Sequence, residues 1–89
     1  MTEARNILVA DDEVNLRRVL SAMLKRDGHQ VLTATDGMDA LSQLQKTEVS
    51  AVITDLRMPK LDGMELLRRV VNDYPDVPVI ILTAHGSVD

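Results

Sequence analysis

Short, unbroken apolar runs alternate along this chain with longer stretches in which apolar residues recur every three or four positions. Residues 6–11 contain Ile7-Leu8-Val9-Ala10, the pattern of a buried strand, closed by Asp11 and Asp12. Residues 14–27 put Leu16, Val19, Leu20, Met23 and Leu24 on the inward face of an amphipathic helix. Asp27-Gly28 ends it, with Gly28 suited to the left-handed position past a helix C-terminus. Residues 29–34 form a second, weaker strand, and Asp36 caps a helix running to about residue 46 with Ala40, Leu41 and Leu44 inward. Residues 49–54 are a third strand, closed by Asp55. Residues 56–62 read as a loop containing Pro59, after which Asp62 caps a helix bearing Met64, Leu66, Leu67, Val70 and Val71. Pro75 and Pro78 bracket its exit. Val79-Ile80-Ile81-Leu82 is the fourth strand, and residues 83–89 trail off as loop or as the start of a helix.

Aliphatic strands joined by amphipathic crossovers imply an α/β fold whose parallel sheet is covered on both faces. Right-handed crossovers in a doubly wound sheet predict the spatial order 2-1-3-4, one of the common orders of such sheets. Strands 1 and 3 are then neighbours, and the winding reverses between them. Ligands bind at such a switch point, outside the carboxyl ends of the strands. Asp11, Asp12 and Asp55 all lie there. At ~4 Å and an effective dielectric of ~20, each like-charged pair costs roughly 4 kcal/mol. The cluster therefore needs a cation, or must share protons.

Composition narrows the setting. The 89 residues suffice for one small domain, read as residues 1–89, which buries ~60–65% of its unfolded surface. With no Phe, no Trp and one Tyr, the core must be aliphatic. The absence of Cys excludes disulfides, thiolate metal sites and a Cys nucleophile. No apolar run reaches the length of a signal peptide or membrane span, so a soluble cytoplasmic protein is expected, with no membrane partner. The net charge of −4 argues against direct nucleic-acid binding, which needs a basic surface.

Clustered carboxylates without His or Cys select a hard cation with oxygen ligands, Mg²⁺ first and Mn²⁺ close behind. Mg²⁺ keeps waters and shares phosphate oxygens, which makes phosphoryl chemistry its natural partner. Asp55, the lone acid at its strand end, is the candidate nucleophile, able to form an aspartyl phosphate. Asp11 and Asp12 are the candidate metal ligands, joined by Asp55 and by the backbone carbonyl of Arg57. Thr83 ends the fourth strand, placing its hydroxyl in reach of a phosphoryl oxygen on Asp55. Each residue has a plainer reading. Acids at strand ends are common turn and cap residues, Thr83 is a strand-end residue, and Asp62-Gly63 is a turn and helix cap. His29 and His85 read as solvated; Arg17, Arg18, Lys25 and Arg26 as the wet face of the first helix; Arg68 and Arg69 as a second solvated face. Met23, Met38, Met58 and Met64 read as packing.

Three stretches closely resemble the receiver domain of bacterial two-component response regulators. They are Leu8-Val9-Ala10-Asp11-Asp12-Glu13, Asp55-Leu56-Arg57-Met58-Pro59 followed by Asp62-Gly63, and Val79-Ile80-Ile81-Leu82-Thr83-Ala84. The match runs from about residue 6 onward. Thr54-Asp55-Leu56-Arg57-Met58-Pro59 and Thr83-Ala84-His85-Gly86-Ser87 are similar to the NtrC-type class, which activates transcription through separate domains. The resemblance implies a flavodoxin-like fold. It also implies that Asp55 accepts a phosphoryl group from a sensor histidine kinase, that Asp11, Asp12 and the Arg57 carbonyl bind Mg²⁺, and that Thr83 is the switch hydroxyl. Such a domain receives phosphate rather than turning over a substrate, so it is not expected to be an enzyme.

A complete receiver has a fifth strand ending in a Lys, and a last helix. Both are expected to be missing, leaving the fourth strand as an apolar edge. An open apolar edge predicts self-association, as a dimer through strand 4 or by element exchange. Two other functions stay open. One is a non-phosphorylated interaction or oligomerisation domain. The other is an Asp-nucleophile phosphohydrolase, which usually carries a second Asp two residues past the nucleophile, where this chain has Arg57.

Overall fold

The four apolar runs form strands β1 (Asn6–Ala10), β2 (Gln30–Ala34), β3 (Ala51–Asp55) and β4 (Val79–Leu82). The amphipathic stretches form helices α1 (Val14–Arg26), α2 (Gly37–Lys46) and α3 (Gly63–Asp73). The computed structural model describes residues 5–56, 58 and 60–82. All strand pairs are parallel, in the order β2-β1-β3-β4, as the doubly wound reading requires. Among the described residues there is no fifth strand.

Each helix begins on an acid. Side-chain oxygens of Glu13, Asp36 and Asp62 accept the N–H groups of Leu16, Asp39 and Glu65 at 2.9, 2.8 and 2.9 Å. These bonds satisfy amides that the helix itself cannot pair. The cap on α1 is Glu13, for which the sequence reading named no role. Past α1, Gly28 takes φ +92° and its N–H donates to the Lys25 carbonyl at 3.0 Å, the left-handed termination expected.

Leu8, Ala10 and Val52 on one face of the sheet pack with Ala40 and Leu44 of α2 and with Leu66 and Val70 of α3. Because side chains alternate along a strand, Ile7 and Val9 point to the opposite face, the side on which α1 packs against β1 and β2. The helical stripes are narrower than their periodicity suggested. Leu16, Leu20 and Leu24 are half-buried, but Val19 and Met23 are 54% and 50% exposed, so α1 has no fully buried residue. On α3, Leu66 and Val70 are buried whereas Met64 and Val71 are exposed. Met23, Met38 and Met64 are therefore surface residues; of the four methionines assigned to packing, Met58 is buried. The strand ends also shift. β1 stops at Ala10, leaving Asp11 as the first residue outside it, whereas β3 includes Asp55.

Two glycines fix the loop after β3. Any Cβ at Gly37 would overlap the carbonyl of Leu61, and any Cβ at Gly63 would overlap the carbonyl of Asp55. The Gly63 N–H also donates to the Leu56 carbonyl at 2.8 Å. The start of α3 thus rests directly on the main chain of Asp55. Gly63→Ala is expected to destabilise the domain by about 1–3 kcal/mol, since backbone must move to admit the methyl group. Thermal unfolding followed by circular dichroism should show a fall of ~4–8 °C for each kcal/mol lost.

Candidate metal centre

Register brings the acids together. Ala10 of β1 pairs with Thr54 of β3, so the next residues, Asp11 and Asp55, leave adjacent strands at the same level. One carboxylate oxygen from each of Asp11, Asp12 and Asp55 lies within 4.8 Å of the other two. Asp11 is 1% exposed and Asp55 6%, while Asp12 faces solvent. All three cluster residues predicted from the sequence are thus in place. Arg57 and Thr83, the other two predicted site residues, lie outside the described residues, as does His85. The register puts Asp55 opposite Leu82, the residue before Thr83.

Hydrogen bonds fasten Asp11. Its Oδ1 accepts the Glu13 N–H at 2.8 Å, and its own N–H donates to the Ala34 carbonyl at 3.1 Å. Nη1 of Arg17 donates to its carbonyl oxygen at 2.7 Å. Arg17 is a correction to the sequence reading, which put it on the wet face of α1 with Arg18, Lys25 and Arg26. Its long side chain instead leads back to the end of β1, leaving the residue half-buried. A charged residue one turn into a helix that follows a functional strand was the available signal. His29 is also half-buried, with Nδ1 enclosed and unpaired, rather than solvated.

The chemistry of the donor set fits a hard divalent cation. Asp11 Oδ2 and Asp55 Oδ1 are buried without any hydrogen-bond partner. At about 4.8 Å and an effective dielectric of ~20, each ionised pair in the cluster repels by roughly 3–4 kcal/mol. Among the described residues no Lys, Arg or His nitrogen comes within 4.0 Å of these carboxylates. Three oxygens within 4.8 Å of one another match the span of ligands around one Mg²⁺ or Mn²⁺, and no His or Cys adds a softer donor.

Burial pushes the carboxyl of Asp11 above its ordinary value; the Glu13 N–H opposes this, and the charges of Asp55, Asp12 and Glu13 add to the rise. An acid whose folded pKa is raised binds more protons in the native state than in the unfolded one. Its contribution to stability is therefore lost as pH climbs from about 3.8 through the raised value. Asp11→Asn should accordingly raise the melting temperature of the metal-free protein at pH 7, by ~4–8 °C for about 1 kcal/mol relieved. The difference should shrink below pH 4, and Mg²⁺ should stabilise the parent but not the variant. Melting curves across pH, with and without Mg²⁺, check all three.

Residues 7–89 match the response regulator receiver domain family. The chain is 42% identical over 83 residues to the transcriptional regulatory protein GlrR of Escherichia coli, covering 93% of this chain and 19% of that protein. Its relatives thus include NtrC-type regulators, and the chain spans between about a fifth and just over a third of their lengths. A receiver domain structure from Clostridium thermocellum superposes with a TM-score of 0.85 at 40% identity, covering 92% of this chain and 67% of that one. The response regulator TrrA of Thermotoga maritima, solved in complex with Mg(2+)-BeF, superposes with a TM-score of 0.87 at 34% identity, covering 92% of this chain and 71% of that one. With the 2-1-3-4 sheet and the carboxylate cluster at its switch point, these likenesses identify the chain as a member of the response regulator receiver domain family of two-component systems.

Proposed function

We propose that this domain is a phospho-accepting signalling module in which Asp55 receives a phosphoryl group from the phosphohistidine of a sensor histidine kinase. The observation that carries the reading is a buried carboxylate oxygen on Asp55 with no partner, set among carboxylates suited to a hard cation. In the transfer, a carboxylate oxygen of Asp55 bonds to phosphorus while the phosphorus–nitrogen bond breaks. The electron pair leaves with the imidazole, which takes up a proton. Asp11, Asp12 and Asp55 would hold Mg²⁺ in this reading, with the Arg57 carbonyl as a further ligand. When bound, Mg²⁺ supplies positive charge against the phosphoryl oxygens. Relative to the unpaired cluster, that charge also removes the repulsion between the acids. The TrrA complex with Mg(2+)-BeF supports the choice of metal.

Thr83 serves as the switch hydroxyl in this reading, and the output is activation of transcription by domains that GlrR-like relatives carry elsewhere in their chains. The module accepts phosphate stoichiometrically and is not an enzyme. It works in the cytoplasm, where ATP feeds the kinase; no helix among the described residues is long and apolar enough to cross a membrane. Incubation with Mg²⁺ and acetyl phosphate should add one phosphate per chain by intact mass, and the adduct should disappear in Asp55→Asn. Continuous phosphate release would favour a phosphohydrolase. Metal binding without any adduct would favour a non-phosphorylated interaction domain.

Self-association belongs to the same proposal. β4 is an edge of the sheet among the described residues, and its Ile80 is 50% exposed, which leaves apolar surface and unpaired backbone side by side. Light scattering at rising concentration should report a dimer, formed by edge pairing or element exchange; a mass that stays monomeric at high concentration would rule it out.

A further inference from the structure

Asp11 is tied at every polar atom but one. Its N–H meets the Ala34 carbonyl, its Oδ1 meets the Glu13 N–H, and its carbonyl oxygen meets Nη1 of Arg17 at 2.7 Å. The atom left over is Oδ2, buried and unpaired like Oδ1 of Asp55. The first two ties come from backbone and follow from the fold itself. The third comes from a flexible side chain on α1, the one element among the three that substitution can remove. A guanidinium in this neighbourhood has an obvious alternative partner in the carboxylates. It does not take it, for no Arg or Lys nitrogen of the described residues comes within 4.0 Å of them. The hydrogen bond goes to the main chain instead.

We propose that Arg17 is a positioning residue of the metal centre: by holding the Asp11 carbonyl it fixes Asp11 against Asp55, while leaving the carboxylates' negative charge to a divalent cation. This rests on reading the cluster as a cation site. The placement resolves a conflict between order and charge. Asp11 stands just past the end of β1, tied to β2 only through its N–H on the Ala34 carbonyl, yet its carboxylate must be held close to like charges that repel it. A guanidinium on its carboxylate would neutralise the site, whereas a guanidinium on its carbonyl leaves the carboxylate charge in place. Groups that orient a metal ligand without touching the metal commonly carry an order of magnitude or more of affinity.

The sign of the effect separates this role from a purely electrostatic one. Arg17 is a cation beside a cation site, so charge alone predicts that removing it tightens metal binding. The clamp predicts the opposite. Mn²⁺ binding to the full chain, followed by loss of the free-ion electron paramagnetic resonance signal, should weaken about tenfold in Arg17→Met. Arg17→Lys, whose ammonium still offers donors, should recover most of the loss. Arg17→Gln matches Arg in helix propensity but is two atoms too short to reach the carbonyl, so it repeats the test if the Met variant folds poorly. Unchanged or tighter Mn²⁺ binding in the Met and Gln variants would overturn the proposal. So would a loss of affinity that follows loss of helical circular dichroism and is not recovered by Lys. Parent protein that binds no Mn²⁺ would overturn the cation reading and this inference with it, and that result is separate from every variant.

Discussion

Mutual repulsion between Asp11, Asp12 and Asp55 is the constraint around which the rest of this domain is arranged. Left to themselves the three carboxylates would separate. They stay within 4.8 Å of one another because β1 and β3 are locked in register by apolar residues, Leu8, Val9 and Val52, with no exposed surface. A slip of one residue would turn every one of those side chains to the wrong face of the sheet. The register that buries the core is therefore the register that gathers the acids. Burial at that strand end, with the charges of Asp55 and Asp12 adding to it, pushes the Asp11 carboxyl above its ordinary value.

This coupling explains why so much of the site is legible in the sequence. The runs Ile7 to Ala10, Ala51 to Thr54 and Val79 to Leu82 lack the polar alternation of a half-exposed strand, which marks a parallel sheet, although in β4 Ile80 is exposed. Once the order 2-1-3-4 follows from the winding, the acids at positions 11, 12 and 55 can only meet. Exposure on the helices is less legible. A stripe at 3.6-residue spacing says which side of α1 faces inward, but not how far the sheet extends beneath it. Val19 and Met23 belong to the stripe and still face solvent, since α1 packs mainly on β1 and β2. Arg17 is harder again. Residue type assigned it to water, and only the length of its side chain lets it turn back to the Asp11 carbonyl.

Two close backbone approaches tie the described residues at either end of the stretch from Asp55 to Gly63. At one end Gly63 rests on the Asp55 carbonyl, and in the middle Leu61 rests on Gly37 at the start of α2. Lys60, the residue before Leu61, adopts φ 68°, a left-handed conformation that costs an L-residue roughly 1–2 kcal/mol, and its ammonium lies 3.8 Å from the cap residue Asp36. That ion pair is exposed on the Lys side and adds little by itself. The close backbone approaches matter more, since neither partner is a side chain that can rotate away. Displacement of the Asp55 main chain must be passed to α3 through Gly63, and displacement of the loop must be passed to α2 through Gly37. A chemical event at Asp55 is thus mechanically connected to the first turns of two helices.

Charge and packing then set opposite demands on the same few atoms. A tightly packed, neutral end to β1 and β3 would make a more stable sheet, and it would have no affinity for a cation. Keeping Asp11 Oδ2 and Asp55 Oδ1 unpaired does the reverse: it weakens the metal-free chain and stores attraction for any ion that can approach both. The arrangement is stable only because the stabilising contacts sit elsewhere. The Asp11 main chain is held by Arg17 and Ala34, its Oδ1 by the Glu13 N–H, and α3 presses on Asp55 from below through a glycine that admits no side chain. Every one of these contacts fixes a position without cancelling the charge left on the two unpaired oxygens. That division of labour, with backbone contacts and the Arg17 guanidinium supplying rigidity and side-chain oxygens supplying charge, is what allows a repulsive cluster to persist at the end of a buried sheet.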